Sequence, residues 1–209
     1  MPDIYSFQAD TMNMIKLIIF DIGDVIINFN DDEYISYITK KLHINAKDFT
    51  KCLGPLVVKM EYGAMRLKET EDTLAKRFNT SDSGLEWVKS YKKMAKLNRP
   101  VLELVNHLSK RYKIALLSNV GRARYIEGLQ LTKGIKTDHV FASCYIKMRK
   151  PEARIYRYAL EKMKINPEEA IFIDNMEENV IGARKLGIKS ILFIGYKPLV
   201  RDLKKLKII

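Results

Sequence analysis

Cysteine and histidine are scarce in this 209-residue chain, with two of the first and three of the second. Cys52 and Cys144 lie far apart and outside any Cys-x-x-Cys pair. That excludes a disulfide framework and a thiolate zinc site, and leaves packing in a reducing, cytoplasmic setting as their expected role. His43, His107 and His139 are scattered without ligand spacing, so neither a histidine metal centre nor a histidine general base is expected. Long apolar runs are missing as well. Lys16, Asp21 and Asp24 interrupt the longest of them, so no stretch has the composition of a membrane span. The first residues lack the basic and then apolar pattern of a secretory signal, and residues 1–13 have the texture of a loose arm. No internal repeat and no low-complexity tract occurs. Acidic charge is in deficit, with 37 Lys and Arg against 25 Asp and Glu and a net charge of +12. Such an excess suits anionic small molecules or nucleic acid. Lys89, Lys92, Lys93 and Lys96 fall on a helical face, and helix-turn-helix, RNA-binding and aromatic–basic patterns are all missing. A solvated basic surface and no nucleic-acid partner are therefore expected.

What is present is an ordinary globular composition, 47% hydrophobic and 30% charged, long enough for one large α/β domain or a core with a smaller insertion. The stretch Leu17-Ile18-Ile19-Phe20 predicts a strand buried on both faces, as in a parallel sheet. It ends in Asp21-Ile22-Gly23-Asp24, and an unpaired carboxylate in a core is costly, so Asp21 belongs at an open edge or beside something positive. Helices are predicted from Asn30 to Leu42, Ala46 to Cys52, Leu67 to Phe78 and Leu85 to Lys96. A turn is predicted at Glu61-Tyr62-Gly63-Ala64 and a loop at 80–84. Beyond Pro100 helices and strands alternate. Strands are expected at Ile114–Leu117, Val140–Ser143, Ala170–Ile173 and Ser190–Ile194. Helices are expected at Val101–Arg111, at 150–164 with Pro151 in the first turn, at Glu177–Leu186 capped by Gly187, and in the tail carrying Leu199, Leu203 and Leu206. That alternation implies a doubly wound, Rossmann-like parallel sheet. The expected organisation is an α/β core of 1–28 plus 98–209 with an inserted small all-helical cap at 29–97.

Three of these strands end in polar residues, Asp21, Ser118 and Asp174. Parallel strands put their carboxyl ends on one edge, where ligands bind, and Lys150 just before a helix can reach the same edge. Two carboxylates side by side repel unless a cation lies between them. Oxygen-only ligands suit magnesium. Metal, lysine and hydroxyl together stabilise charge on a phosphoryl group in transfer, and a central carboxylate can attack phosphorus to give an aspartyl phosphate.

In order, spacing and strand context these segments resemble the haloacid dehalogenase superfamily, which is mostly phosphatases. Asp21-Ile22-Gly23-Asp24-Val25 resembles its first motif and Leu116-Leu117-Ser118-Asn119 its second. Lys150-Pro151-Glu152-x-x-Ile155-Tyr156 resembles the third, and Asp174-Asn175-x-x-Glu178-Asn179-x-x-Gly182-Ala183 the fourth. The helical insertion is similar to the family's small cap, with Glu61-Tyr62-Gly63 where such caps present a loop to substrate. The resemblance implies Asp21 as nucleophile, and magnesium held by Asp21, Asp174 and the carbonyl of Gly23. It implies Ser118 on a phosphoryl oxygen, Lys150 neutralising it and orienting Asp21, and Asn119 and Glu61 facing the substrate. Asn175 and Glu178 would support the metal, with Glu178 in place of the more usual aspartate.

One departure stands out. The family's phosphatases carry an acid–base aspartate two residues after the nucleophile, and here that residue is Gly23. Asp24, adjacent, points to the opposite side along a strand unless a turn re-aims it. A subgroup with an Asp-x-Gly-x-Val first motif, including sugar-phosphate phosphatases, is similar. The expectation is a magnesium-dependent phosphatase of a small phosphorylated metabolite, a sugar phosphate or similar. The alternatives are a hydrolase of acyl phosphates or other good-leaving-group substrates, and a catalytically weak phosphate-binding or regulatory protein. Asp174, Asn175 and Glu178 argue for a metal and so against dehalogenation.

Overall fold

β1, Leu17–Phe20, has all four side chains buried, as a strand covered on both faces must. The structure, a computed structural model, describes residues 14–80 and 86–209. The expected arm at 1–13 and most of the expected loop at 80–84 lie outside the described residues. After β1 the chain makes a tight turn in which Ile26 and Ile27 both donate their N–H to Ile22 O, at 2.9 and 2.8 Å. It then enters the two-residue strand β2, Ile27–Asn28. Among the described residues four helices follow: α1 (Asp31–Lys41), α2 (Ala46–Glu61), α3 (Leu67–Phe78) and α4 (Trp87–Met94). The chain returns through β3 (Lys96–Leu97), antiparallel to β2. From there α5 (Arg99–Leu108), β4 (Lys113–Ser118), α6 (Arg122–Leu131), β5 (His139–Ala142), α7 (Ser143–Ile146) and α8 (Ala153–Met163) succeed one another. The chain ends with β6 (Ala170–Asp174), α9 (Glu177–Arg184), β7 (Lys189–Leu192) and α10 (Tyr196–Lys205).

The five longer strands form one parallel sheet in the order β5-β4-β1-β6-β7. Alternate residues divide into two cores, one on each face. Ile18, Phe20, Ile114, Leu116, Ile171 and Ile173 pack with α5, α10 and the inserted helices. Leu17, Ile19, Ala115, Leu117 and Phe172 pack with α8 and α9. The doubly wound α/β fold expected from the sequence is the fold observed.

Several local expectations are corrected. The segment 29–97 is not free of strand, because Lys96–Leu97 pairs with Ile27–Asn28. Ala95 is extended and ends α4 at Met94, and Asn98 ties the return to the first turn through Ile26 O at 2.9 Å and Val25 O at 3.1 Å. Helix α2 continues past Cys52 through Gly54 and Pro55 to Glu61. An interior proline costs about 3 kcal/mol. The buried stripe Phe49, Leu53, Leu56 and Met60, at about 1.5–3 kcal/mol for each fully buried side chain, outweighs it. Helices α6 and α7 were not expected, and α6 buries only Gly128, so it lacks the apolar stripe that would announce it. Pro151 follows a cis peptide bond and precedes the helix, which starts at Ala153.

Candidate active site

β1 lies between β4 and β6, so Asp21, Ser118 and Asp174 leave the sheet on adjacent strands at one edge. Asp21 is 7% exposed and Asp174 0%, and the N–H of Asp21 donates to Ile173 O at 2.8 Å. Lys150, 1% exposed, reaches between them from the turn before α8. Its Nζ donates to Asp21 Oδ1 at 2.7 Å, Asp174 Oδ2 at 2.6 Å and Leu117 O at 2.9 Å. All three donors of the ammonium are thereby used. Two carboxylates against one ammonium leave the buried triad with an excess negative charge. Burial, opposed by Lys150 and reinforced by the charge of Asp174, pushes the Asp21 carboxyl up to about 6. Burial alone would depress the Lys150 ammonium, but the two carboxylates prevail and hold its pKa above the usual lysine range.

Asp174 Oδ1 accepts from Met176 N at 2.8 Å and Asn179 Nδ2 at 3.0 Å, and Oδ2 accepts from Asn179 Nδ2 at 3.1 Å. That double contact fixes the orientation of the Asn179 amide. Its Oδ1 is left buried without a hydrogen-bond partner. An orphaned oxygen on an amide bonded to Asp174 is the kind of donor a hard cation takes. Among the described residues no group of three or more His, Cys, Asp or Glu could hold a metal. A cation here would therefore depend on the two aspartates together with amide, carbonyl and water oxygens, a donor set that fits magnesium.

Every residue expected at the site except the buried Asp174 lines one cavity of about 420 Å³. The details differ from the expectations in three places. Asn119 does not present a free amide to a substrate. Its Nδ2 donates to Lys150 O at 2.9 Å and its Oδ1 accepts from Lys150 N at 2.8 Å, so it clamps the backbone that carries the lysine. The turn does re-aim Asp24, whose φ is 54°, but Asp24 Oδ1 accepts from Phe29 N at 3.1 Å and closes the hairpin. Burial raises its carboxyl pKa. Glu61, at the end of α2, accepts through Oε2 from Arg149 Nε and Nη2, both at 3.0 Å. Burial, opposed by Arg149, raises its pKa too. Beside it the Tyr62 hydroxyl donates to the Glu152 carboxylate. A Cβ on Gly63 (φ 67°) would stand 2.1 Å from Cys144 O. The 61–63 turn is thus docked on the segment that carries Lys150.

Gly23 occupies an open position. A Cβ there would meet only Asp21 Oδ2, at 3.9 Å, and its φ is outside the left-handed region. Ser118 is buried at the end of β4 and lines the cavity, as do Asn175 and the exposed Glu178. Sequence reasoning assigned no role to Asn179, Trp87, Arg124 or Arg149, which also line it. Arg124 donates to Asp31 at 2.6 Å and lies 4.5 Å from the Phe29 ring and 5.1 Å from that of Trp87.

A sequence profile described as haloacid dehalogenase-like hydrolase matches residues 15–187. The chain belongs to this hydrolase family. A haloacid dehalogenase family enzyme from Bacteroides thetaiotaomicron superposes on it with a TM-score of 0.77, at 24% identity over 86% of this chain and 93% of the other. The same enzyme has been solved with magnesium and inorganic phosphate (TM-score 0.75, 22% identity, 85% and 93% covered). Among curated relatives, drimenol cyclase drtB of Aspergillus calidoustus is 26% identical over 186 residues, 86% of this chain and 34% of the cyclase. Glyceraldehyde 3-phosphate phosphatase of Pyrococcus furiosus is 33% identical over 57 residues, 27% of this chain and 24% of the phosphatase. The chain therefore spans about a third or less of the length of these two relatives. Among the described residues, no helix of this haloacid dehalogenase-like hydrolase is long and apolar enough to cross a membrane.

Proposed function

We propose that this hydrolase is a magnesium-dependent phosphatase of a small phosphorylated metabolite. The carrying observation is the buried Asp21–Lys150–Asp174 triad opening on the cavity. In this reading an Asp21 carboxylate oxygen attacks phosphorus, the bond from phosphorus to the leaving oxygen breaks, and an aspartyl phosphate forms on Asp21. Lys150 holds the nucleophile in place through Oδ1 and balances charge on the phosphoryl oxygens, and the Ser118 hydroxyl donates to one of them. Asn119 positions Lys150 through its backbone. Water then attacks the acyl phosphate, releasing inorganic phosphate and restoring Asp21. Magnesium, held by Asp21, Asp174 and the Gly23 carbonyl with Asn179 Oδ1 as a further oxygen, would supply positive charge to the phosphoryl group. Asn175 and Glu178 would orient its water shell. The helical segment 29–97 acts as a cap over the core of 1–28 and 98–209.

Support comes from the oxygen-rich donor set, the structural neighbour holding magnesium and phosphate, and the relative named glyceraldehyde 3-phosphate phosphatase. The open position at Gly23 and the engagement of Asp24 by Phe29 favour a second reading, in which the substrate is an acyl phosphate whose leaving group needs no proton. The test is phosphate release with and without magnesium from sugar phosphates, nucleotides, acetyl phosphate and p-nitrophenyl phosphate. Magnesium-dependent turnover that disappears in Asp21→Asn is expected. Turnover of acetyl and p-nitrophenyl phosphates only would select the second reading. Silence across the panel, with magnesium bound, would mean a phosphate-binding protein.

A further inference from the structure

A second cavity, of about 330 Å³, adjoins the first, and Val57, Glu61, Trp87, Asn119 and Arg124 line both. Its interior is apolar. Val57 and Met60 come from α2, Met65 from the turn before α3, Leu67 from the start of α3, Trp87 from α4 and Val120 from the segment before α6. None of these six is exposed. The exposed lining residues Arg66, Lys68 and Arg122 place positive charge at the mouth. Lys68 is held by Asp72 at 2.7 Å and Arg122 lies 5.3 Å from the Tyr145 ring.

Of the polar side chains that line both cavities, Glu61 is held by Arg149 and Asn119 by the Lys150 backbone. Arg124 bonds Asp31 through Nη2 and keeps one buried N–H, at Nε, without a partner. A single such donor can take one hydroxyl, and a sugar ring entering this chamber would leave the rest of its hydroxyls unpaired against apolar walls. A hydrocarbon chain would only exchange water for Val57, Met60, Leu67 and Trp87. We propose that the organic part of the substrate is apolar, and that the protein acts on a phosphate monoester of an alkyl, alkenyl or similar hydrophobic alcohol. The phosphate stands at Asp21 and the chain lies along Trp87 into this chamber. The proposal rests on the phosphatase reading and narrows its substrate.

The test is a homologous series of n-alkyl phosphates, ethyl to octyl, with magnesium. A buried methylene is worth about 0.8 kcal/mol, which converts to a rise in kcat/KM of about fourfold per added carbon until the chamber is full. Leu67→Gln should flatten that slope. Glucose phosphates should be hydrolysed more slowly than octyl phosphate. Trp87 is the chain's single tryptophan, so its emission reports entry into the chamber without any turnover. Octylphosphonate should shift that emission and methylphosphonate should not. Hydrolysis without chain-length dependence, or a preference for the sugar phosphates, overturns the apolar substrate alone. If no ester is hydrolysed while octylphosphonate still shifts Trp87 emission, the phosphatase reading falls and the chamber's preference stands.

Discussion

Gly23→Asp should raise turnover of esters whose leaving group needs a proton. A Cβ at this position meets only Asp21 Oδ2, at 3.9 Å, and the backbone needs no glycine, so the new side chain enters without collision beside the nucleophile. A carboxyl there can protonate a leaving alkoxide and then activate water, a contribution typically worth about 10²–10⁴-fold. The same carboxylate also repels Asp21. At about 5 Å and an effective dielectric of about 20 the repulsion is about 3 kcal/mol, roughly two pKa units. Asp21 already stands at about 6 in the metal-free protein, and the reaction needs Asp21 ionised while the new carboxyl keeps its proton, so the gain should peak between the pair's two titrations and fade above about pH 8. The assay is kcat against pH from 6 to 9.5 for an alkyl phosphate, a sugar phosphate and acetyl phosphate, with Gly23→Ala as the control. The alkyl or sugar ester should gain about 100-fold in Gly23→Asp, with less than about tenfold for acetyl phosphate, whose leaving group needs no acid. Equal effects on all three substrates, or no gain at any pH, would refute the claim that wild-type turnover is limited by the missing acid.

Asp21→Asn should abolish turnover and yet stabilise the metal-free protein. The native pKa of Asp21 is raised, so the folded state holds more protons than the unfolded state between 3.8 and about 6. Stability should accordingly fall as pH rises through that window and level off above it, by at most about 3 kcal/mol, and the Asp21→Asn substitution should remove the dependence. Urea denaturation at pH 4.5 and 7.5 checks both the sign and the size. Lys150→Met strips the counter-charge from two buried carboxylates and should cost about 3–5 kcal/mol. Magnesium should recover much of that loss in thermal melts, and no recovery would count against a cation between Asp21 and Asp174. Asn119→Ala removes both hydrogen bonds to the Lys150 backbone and should cost about 1–3 kcal/mol. It should lower kcat more than it raises KM, whereas a pure KM effect would return Asn119 to substrate binding.

Strand positions and the edge they share were legible because their signals are local. Four apolar residues ending in an aspartate, or in a serine, can be read without knowing what packs on them, and parallel pairing then brings Asp21, Ser118 and Asp174 to one edge. The turn at Glu61–Gly63 and the helix start at Asn30 were equally local, the latter set by the Asn30 side chain accepting from the N–H of Glu33 three residues on. Helix α6 was not legible, since it buries only Gly128 and owes its place to the sheet edge and to Arg124 among Phe29, Trp87 and Tyr91.

Residue identity and spacing were enough to set the α/β fold, the acid–lysine–acid set and the lack of an acid at Gly23. How each polar group is used depended instead on contacts across the fold. Asn119 was assigned to a substrate and holds Lys150, Asp24 caps Phe29, and the neglected Asn179 keeps an unpaired oxygen beside Asp174. A hydrogen bond is a matter of a few tenths of an ångström between residues as distant in sequence as 119 and 150, and no local pattern encodes it. The apolar chamber is of the same kind, for Val57, Leu67, Trp87 and Val120 come from separate segments and meet only when the inserted helices fold over the sheet.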